Sequence, residues 1–453
     1  MDGKGKKRKA AVFVDDEIAE INEILQSETT SRESWQIGKR LKTLIDAHPA
    51  MTKEQLGNTM CMWGTAIARI ASENDDATLA EAAMDKFQQA LTLLGKDEMG
   101  PYGMALFGSA SMIVASEKQD RTVLEAALQQ FDMAVQMDTP EAFESHFQYA
   151  KALREGSLLV QHLLDMTPET DAAEKEASFQ SPATLQQKGL DICQHILEQH
   201  KDVMDGESED AKERDDDDDE EVEDEVTKED MSEVVLLQAQ LLALLATESN
   251  EHIYNVFKQS YDMYRDNVNA LIEMNAFVCR VPKPTLTEWL PRLEWIETEL
   301  NSILDSLEFD LPSCYEHVMR ESTLEKPKEI DERVPKLLDV LGRNLLEQLK
   351  CRPTAAAPTL LAHALRVLKC AHHVHDAFGC YSLATLYALP LYRDPTECHV
   401  WLETCESYGV LDDEFQPSDF KTMESEEWYS AFVTNGTLKA STVVVDDEND
   451  VAH

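Results

Sequence analysis

Apolar residues recur at three- and four-residue spacing from Asp16 to about Leu164, which is the pattern of an amphipathic helix. Ile18, Ile21 and Leu25 show this spacing at the start of the stretch. It returns from Met231 to Ala246 and in several later segments. Few turn-forming residues interrupt it, since the 453-residue chain has 16 Gly and 16 Pro. The pattern therefore predicts an all-α protein made of consecutive helices.

A 44-residue repeat lies inside the first helical stretch, because residues 63–94 align without gaps on residues 107–138. Gly64 falls on Gly108, and Phe87 falls on Phe131. Each unit predicts a helical hairpin. Its first helix carries a small residue that lets a neighbouring helix come close, and its second helix places an aromatic ring between two Ala residues on one face.

The spacing of Ala83, Phe87 and Ala90 in the second helix resembles the tetratricopeptide repeat (TPR) family. That family repeats every 34 residues, so we expect the ten additional residues per unit in longer helices or in loops around 96–101 and 138–141. The resemblance implies a right-handed αα superhelix, or solenoid, of stacked hairpins. Its binding groove would be lined by first helices.

Three outward positions of the first helices, near Met62, Arg69 and Met112, are candidates for that groove. Near the other end, the segment 381–411, continuing to Asp419-Phe420 and Glu427-Trp428-Tyr429, resembles the module that closes TPR arrays. It departs from that module at Pro390, where the pattern expects the helix to continue. We therefore expect repeats in both halves of the chain.

Composition divides the chain into five parts. Residues 1–16 form a basic N-terminus that we expect to be disordered, and residues 17–204 hold the TPR-like repeats. An acidic, disordered linker follows at 205–230. Residues 231–432 form the C-terminal helical-repeat half with its closing module, and residues 433–453 form an acidic tail that we also expect to be disordered.

Asp and Glu number 87 against 41 Lys and Arg, which gives a formal charge of −46. Segment 205–230 alone holds 17 acidic and 3 basic residues. So acidic a chain argues against direct nucleic-acid binding and against anionic membranes. The acidic run is either a solvated linker or a binding site for a basic partner protein. The candidate residues of that site are Asp215, Asp216, Asp217, Asp218, Asp219, Glu220 and Glu221.

A short basic cluster near the N-terminus, Lys6, Lys7, Arg8 and Lys9, is a candidate nuclear-import signal. The alternative is a solvated basic tail. Nine Cys residues without a CxxC pair, and a start without an apolar leader segment, predict a reducing compartment. We therefore expect the protein in the nucleus, the cytoplasm or both.

One dense group of metal-type side chains occurs, comprising Cys370, His372, His373, His375 and Cys380. On a helix, Cys370 pairs with His373 and His372 pairs with His375, but the two pairs point about 200° apart at 100° per residue. They therefore do not converge on one ion as a zinc site requires. The sequence also lacks a nucleophile elbow, a phosphate-binding loop and a zinc-protease motif. We expect no metal, no cofactor and no enzyme activity.

The sequence therefore favours a non-enzymatic adaptor or scaffold for other proteins. The basic start at Lys6 to Lys9, the acidic opening from Asp15 and the long hairpins resemble the enhancer-of-translation-termination and nuclear-import-adaptor family over residues 1–200. That resemblance implies a nuclear role in translation termination, or in the import or regulation of a partner. The alternative is an acidic chaperone of histones or of another basic protein, because one histone-chaperone family has a TPR array interrupted by an acidic segment.

Overall fold

The computed structural model describes residues 3–26, 30–139, 142–166, 180–205, 226–281, 283–320, 330–352, 357–411, 415–430 and 432–433. Most of this backbone is helical, and these ranges contain no strand, so the all-α prediction is confirmed for them. In the same ranges every helix is too short or too polar to span a membrane. The helices are α1 (Gly3–Gln26), α2 (Ser31–Ala47), α3 (Lys53–Asn74), α4 (Ala77–Leu94), α5 (Lys96–Lys118), α6 (Arg121–Met137), α7 (Phe143–Asp165), α8 (Pro182–Gln199), α9 (Lys201–Asp205), α10 (Lys228–Leu245), α11 (Asn250–Met263), α12 (Val268–Arg280), α13 (Lys283–Ser306), α14 (Leu311–Met319), α15 (Val334–Cys351), α16 (Ala357–Val374), α17 (Cys380–Ala388), α18 (Pro395–Ser407) and a 3-10 helix (Pro417–Met423).

The chain forms two compact units, Met1–Asn267 and Val268–His453. In the first unit each helix packs against the next one along the chain. The alternate helices α1, α3, α5 and α7 also contact one another in turn, and α10 continues this row by contacting α7. This arrangement is the sequential packing of a helical-repeat protein.

The glycine and aromatic positions of the repeat contact each other within each hairpin. A Cβ atom placed on Gly64 would lie 2.9 Å from the Phe87 ring, and one placed on Gly108 would lie 2.8 Å from the Phe131 ring. Both rings are buried, with buried Ala residues on either side of them along the helix. The predicted close approach is therefore confirmed, and the approaching helix is the second helix of the same hairpin.

The turns inside the two repeated hairpins have the same backbone geometry. Asp75 and Gln119 occupy equivalent positions with φ of 50° and 51°. The next residues, Asp76 and Asp120, cap α4 and α6 by accepting backbone N–H groups through their carboxylates. Because these turns are so short, the additional residues lie in helix length, with 22 residues in α3 and 23 in α5.

The expectation of a loop at 96–101 is wrong, because these residues belong to the start of α5. The backbone bends at Gly100, where φ is 74°, and the helix resumes at Pro101. A glycine tolerates this positive φ, and a proline fits the start of a new helical turn because its missing N–H has no partner there. The other loop considered, at 138–141, lies partly outside the described residues.

Helix α1 begins at Gly3, whereas the sequence led us to expect disorder up to residue 16. Lys, Arg and Ala, which are frequent near its start, are good helix formers. Ile21 and Leu25 hold the second half of α1 in a buried cluster formed with α2 and α3. The Arg40 guanidinium of α2 adds an ion pair with Glu17 at 3.1 Å. The helix is thus fixed to the first unit by its C-terminal half.

The boundary between the units, after Asn267, also differs from the division expected at 205–230. Helix α10 packs against α8, so it belongs to the first unit. Buried hydrogen bonds also tie α10 to residues 260 and 267 of the first unit. Ser260 Oγ donates to Ser232 O at 2.8 Å, and Asn267 Nδ2 donates to Ser232 Oγ at 2.8 Å. Moreover, α10 begins inside the expected linker, because the Thr227 hydroxyl and the Asp230 carboxylate form a capping box there.

In the second unit a buried carboxylate fixes the start of α17. Asp339 of α15 is 5% exposed, and its side chain accepts from Gly379 N at 3.1 Å, Ser382 Oγ at 3.2 Å and Arg343 Nε at 2.8 Å. Three donors therefore compensate the cost of burying this charge. The interaction joins α15 to the turn before α17.

The last helices surround Phe420 of the 3-10 helix, which is fully buried. Tyr381 of α17 fastens this segment, because its hydroxyl accepts from Gln416 N at 2.9 Å and donates to Asp419 Oδ2 at 3.0 Å. Helix α17 ends at Ala388, two residues before Pro390. The departure from the closing-module pattern that Pro390 marks in the sequence is therefore a helix end.

Candidate functional site

A groove lies where α1, α3 and α5, the first helices of three consecutive hairpins, run side by side in the first unit. It encloses about 750 Å³. We call it the first-helix groove. Its lining residues are Asp15, Ile18, Ala19, Asn22, Leu25, Thr52, Glu54, Gln55, Asn58, Cys61, Met62, Thr65, Leu94, Glu98, Met99, Tyr102 and Gly103.

The floor of the groove is apolar. Gly103 lets Met99 and Cys61 pack closely against α5, because a Cβ atom at this position would lie 3.0 Å from Met99 Cγ and 3.2 Å from Cys61 Sγ. Burial raises the pKa of the Cys61 thiol to about 11, so this side chain stays uncharged near neutral pH. Met62 packs beneath α1 together with Leu25. The floor therefore offers neutral, close-packed surface to a ligand.

The rim of the groove carries three carboxylates, on Asp15, Glu54 and Glu98. Gln55 Nε2 donates to Asp15 Oδ1 at 2.6 Å, which ties α1 to α3. Glu54 and Glu98 stand in the first turns of α3 and α5, where the helix dipole favours negative charge. Among the described Lys and Arg side chains, none forms an ion pair with either glutamate. The rim is thus acidic and open to a cation.

Arg69 links the helices at one end of the groove. Its Nη2 donates to the backbone oxygen of Leu25 at 2.5 Å and to the hydroxyl of Tyr102 at 3.4 Å. The guanidinium therefore holds the C-terminal part of α1 next to α5. Tyr102 remains 54% exposed, so its ring is accessible from the groove.

The three positions expected near a groove have different environments. Met62 lines the floor, although it is only 7% exposed. Arg69 stands beside the groove as a structural link. Met112 is not a lining residue, and its side chain, 6% exposed, belongs to a buried cluster that includes Phe107, Phe131 and Leu153. The expectation for Met112 is therefore wrong, since that face of α5 is covered by neighbouring helices.

For the two charged segments singled out in the sequence, the side chains lie outside the described residues. Lys6, Lys7, Arg8 and Lys9 lie on the backbone of α1, and their side chains are outside the described part of the structure. The acidic residues Asp215 to Glu221 lie wholly outside the described residues. Their roles in import and in binding a basic partner stay predictions.

Most of the rim residues were not predicted from the sequence, yet the repeat contains a signal for them. Extending the 44-residue register towards the N-terminus matches Glu54 with Glu98 and Asn58 with Tyr102. All four residues line the groove. Equivalent positions of successive first helices therefore face the same side, as expected for stacked hairpins.

A second cavity of about 490 Å³ lies between α6, α7 and α8. At its edge Lys188 Nζ donates to Asp132 Oδ1 at 2.9 Å and to the Tyr149 hydroxyl at 2.5 Å. Burial raises the pKa of Tyr149. For Lys188, burial opposes the charge, but the hydrogen bonds with Tyr149 and Asp132 outweigh it and raise the pKa. The three groups satisfy one another's hydrogen bonds, so the cluster joins α6, α7 and α8.

The cysteines and histidines of the dense group around 370–380 do not come together. The Cys370 thiol lies near Cys314 of α14 and donates to the backbone oxygen of Leu311. The Cys380 thiol lies near Cys405 of α18 and donates to the backbone oxygen of Ala377. His372 lies edge-on to the Trp401 ring at 5.1 Å between centroids. Within the described ranges, no three His, Cys, Asp or Glu side chains are arranged to hold a metal ion.

Comparison with known proteins does not place the chain in a family, because no family model matches it and no curated protein sequence matches it.

Proposed function

We propose that the protein is a non-enzymatic adaptor, in which a right-handed TPR-like superhelix presents the first-helix groove to a segment of a partner protein. The observation that carries this proposal is the groove itself, whose floor is apolar and whose rim is polar. Helical-repeat proteins use such surfaces along their first helices to bind peptides or helices.

The chemistry of the groove supports binding of a protein segment. An apolar side chain of a partner that becomes buried on the floor formed by Cys61, Met62 and Met99 would contribute roughly 1.5–3 kcal/mol. Tyr102 adds an exposed aromatic ring with a hydroxyl group, a combination enriched in binding hot spots. The neutral floor would bury a partner side chain without leaving a charge unpaired.

The location and the pathway of the adaptor belong to the same proposal. The basic residues Lys6 to Lys9, on a helix that also lines the groove, support import into the nucleus. The resemblance of the N-terminal 200 residues supports a link to translation termination, or to the import or regulation of the bound partner. We expect the adaptor in the nucleus, the cytoplasm or both.

Affinity purification with a groove variant tests the adaptor function. Tyr102→Ala removes the exposed ring from the groove, and Tyr408→Ala serves as matched control because Tyr408 is 48% exposed in the second unit. Partners recovered from cell extract are quantified by mass spectrometry for the unchanged chain and both variants. We expect at least one partner to be lost with Tyr102→Ala and retained with Tyr408→Ala. Identical partner sets for all three chains would contradict the proposal.

A second candidate function is an acidic chaperone of a basic protein, and the acidic rim of the groove favours it. In that case the run from Asp215 to Glu221 supplies most of the affinity. Deleting residues 206–225 removes the run but keeps Thr227, which caps α10. Loss of histone binding on this deletion would support the chaperone, and an unchanged partner set would exclude it in favour of the adaptor.

A further inference from the structure

We propose that the first-helix groove binds a basic segment of another protein, one that presents Lys or Arg side chains next to a large apolar side chain. This inference rests on the proposed function as an adaptor and specifies the chemistry of the partner. It follows from the charge of the rim, the character of the floor and the polar groups between them.

Among the described residues that line the groove, the charge is of one sign. Asp15, Glu54 and Glu98 are its charged residues there, and none of these described lining residues is a Lys or an Arg. An acidic partner segment would place its carboxylates beside those of the rim, where both lose part of their water. The repulsion between these like charges disfavours binding. A basic segment would instead find two carboxylates, those of Glu54 and Glu98, that form no ion pair with any described cation.

The helix termini explain only part of this arrangement. Negative charge in the first turn stabilises α3 and α5, and this accounts for acidic residues near Glu54 and Glu98. It does not require that they face the groove, since Asp97 occupies the same first turn of α5 and is not a lining residue. The orientation of the two glutamates is therefore the feature that favours a cationic ligand.

The floor and the amide groups complete the recognition surface. Met62 and Met99 line the floor although they are only 7% and 6% exposed, and the flexible methionine side chain can adapt its shape to an apolar side chain that stands between the charged ones. Asn22 and Asn58 are exposed, and a side-chain amide both donates and accepts, so each can pair with the peptide backbone of a bound segment. A peptide with only charged side chains would leave the floor uncovered.

Defined peptides and charge-matched variants test this inference on the full chain. The probe is a short fluorescein-labelled peptide of Lys, Leu and Ala, and its binding is measured by fluorescence anisotropy. Two comparison peptides replace every Lys by Glu, or every Leu by Ser. One variant is Glu54→Lys/Glu98→Lys. The control is Glu198→Lys/Glu248→Lys, which changes the net charge equally at two exposed sites outside the groove.

We expect the Lys peptide to bind and both comparison peptides to bind about ten-fold more weakly or not at all. The groove variant should weaken binding of the Lys peptide about ten-fold or more, whereas the control should change it little. The control matters because the chain carries a net charge of −46, which attracts any cation from a distance. Equal weakening by both variants would overturn the proposal, since attraction would then be general.

Two further outcomes separate this inference from the proposed function. If Tyr102→Ala loses a partner but the Lys peptide binds no better than the Glu peptide, the adaptor function stands and the basic partner is excluded. If the chain instead forms dimers that the groove variant dissociates, the occupant is a second copy of this chain. Analytical ultracentrifugation detects this case, and such dimers would overturn the proposal of a partner protein.

Discussion

Single residues set the distance between the helices of the repeated hairpins. Gly64 and Gly108 face the rings of Phe87 and Phe131 so closely that even one methyl group would overlap them. Both rings are buried among neighbouring side chains, so a shift of either ring would disturb the core around it. The glycines are thus required by packing, although each costs helix stability relative to Ala.

We therefore predict that Gly64→Ala destabilises the protein by about 1–3 kcal/mol, the usual cost of overpacking a core. Gly38→Ala is the control, since its Cβ would lie 3.4 Å from Trp63 Nε1, an ordinary contact, and Ala favours the helix by roughly 0.5–1 kcal/mol. Urea unfolding followed by circular dichroism measures both variants. Equal stability of the two would mean that the Phe87 ring moves away without cost.

Cys61 allows the floor of the groove to be probed by its reactivity. Burial raises the pKa of its thiol to about 11, whereas the thiol pKa of a cysteine in an unfolded chain is about 8.5. The thiolate is the form that reacts with iodoacetamide. In the folded protein the alkylation rate of Cys61 should therefore keep rising between pH 9 and pH 11.

In urea the same rate should level off near pH 9, and the modified peptide is quantified by mass spectrometry. The raised pKa of the Cys61 thiol also affects stability. Its contribution to the free energy of unfolding is fully present below about pH 8.5, and it is lost as the pH rises towards 11. A plateau at the same pH in folded and unfolded protein would show that Cys61 is not buried.

At the scale of helices, the closing module is organised around one side chain. Phe420 packs against Tyr381 of α17 at 5.7 Å, against Phe415 at 5.6 Å and against Tyr429 at 6.5 Å between ring centroids. The 3-10 helix that carries it makes few backbone hydrogen bonds of its own, since such helices are short. The module therefore depends on this ring to keep α17 and the 3-10 helix together.

Phe420→Ala should destabilise the second unit by about 3–5 kcal/mol, the cost of removing a buried aromatic ring. Limited proteolysis should then cut the chain within the 3-10 helix, Pro417–Met423, faster than in the unchanged protein. Tyr408→Ala, at an exposed position near the same helix, is expected to change the cleavage pattern little. If proteolysis of Phe420→Ala matched that of the unchanged chain, the ring would not hold the module.

The helices show which parts of the fold the sequence can predict. The hairpins of α3 to α6 follow from local spacing, because Ala83, Phe87 and Ala90 lie on one helix face at i, i+4 and i+7. The start of α5 did not follow, since Gly100 and Pro101 are typical of turns, and only the structure shows a bend between two helical segments. Local residue preferences do not distinguish these two uses of the same residues.

The groove was predictable only in part, for a related reason. The sequence placed it on the first helices, and the repeat register aligns Glu54 with Glu98. The position of α1, in contrast, depends on contacts between distant residues, such as Arg69 with Leu25 and Gln55 with Asp15. Periodicity along one helix does not determine such pairs, so the third wall of the groove was missed.

For the whole molecule, the net charge of −46 has opposite consequences for folding and for binding. Like charges repel each other more strongly in the compact state than in the unfolded chain, so they lower stability at low salt. Surface ion pairs, such as Arg121 with Glu125, offset little of this, because exposed pairs contribute about 0–1 kcal/mol each. Salt screens both the repulsion between like charges and the attraction within ion pairs, and the repulsion is the larger of the two for so acidic a chain.

We therefore predict that raising NaCl from low to physiological concentration increases the melting temperature, while it weakens binding of the Lys peptide to the groove. Differential scanning calorimetry and fluorescence anisotropy measure the two effects on the same samples. The variant Glu198→Lys/Glu248→Lys, which carries less negative charge, should show a smaller rise in melting temperature. A melting temperature that falls with salt would mean that ion pairs outweigh repulsion. In that case the surplus of acidic residues would be balanced within the folded units, and attraction of a basic partner would depend on the groove carboxylates alone.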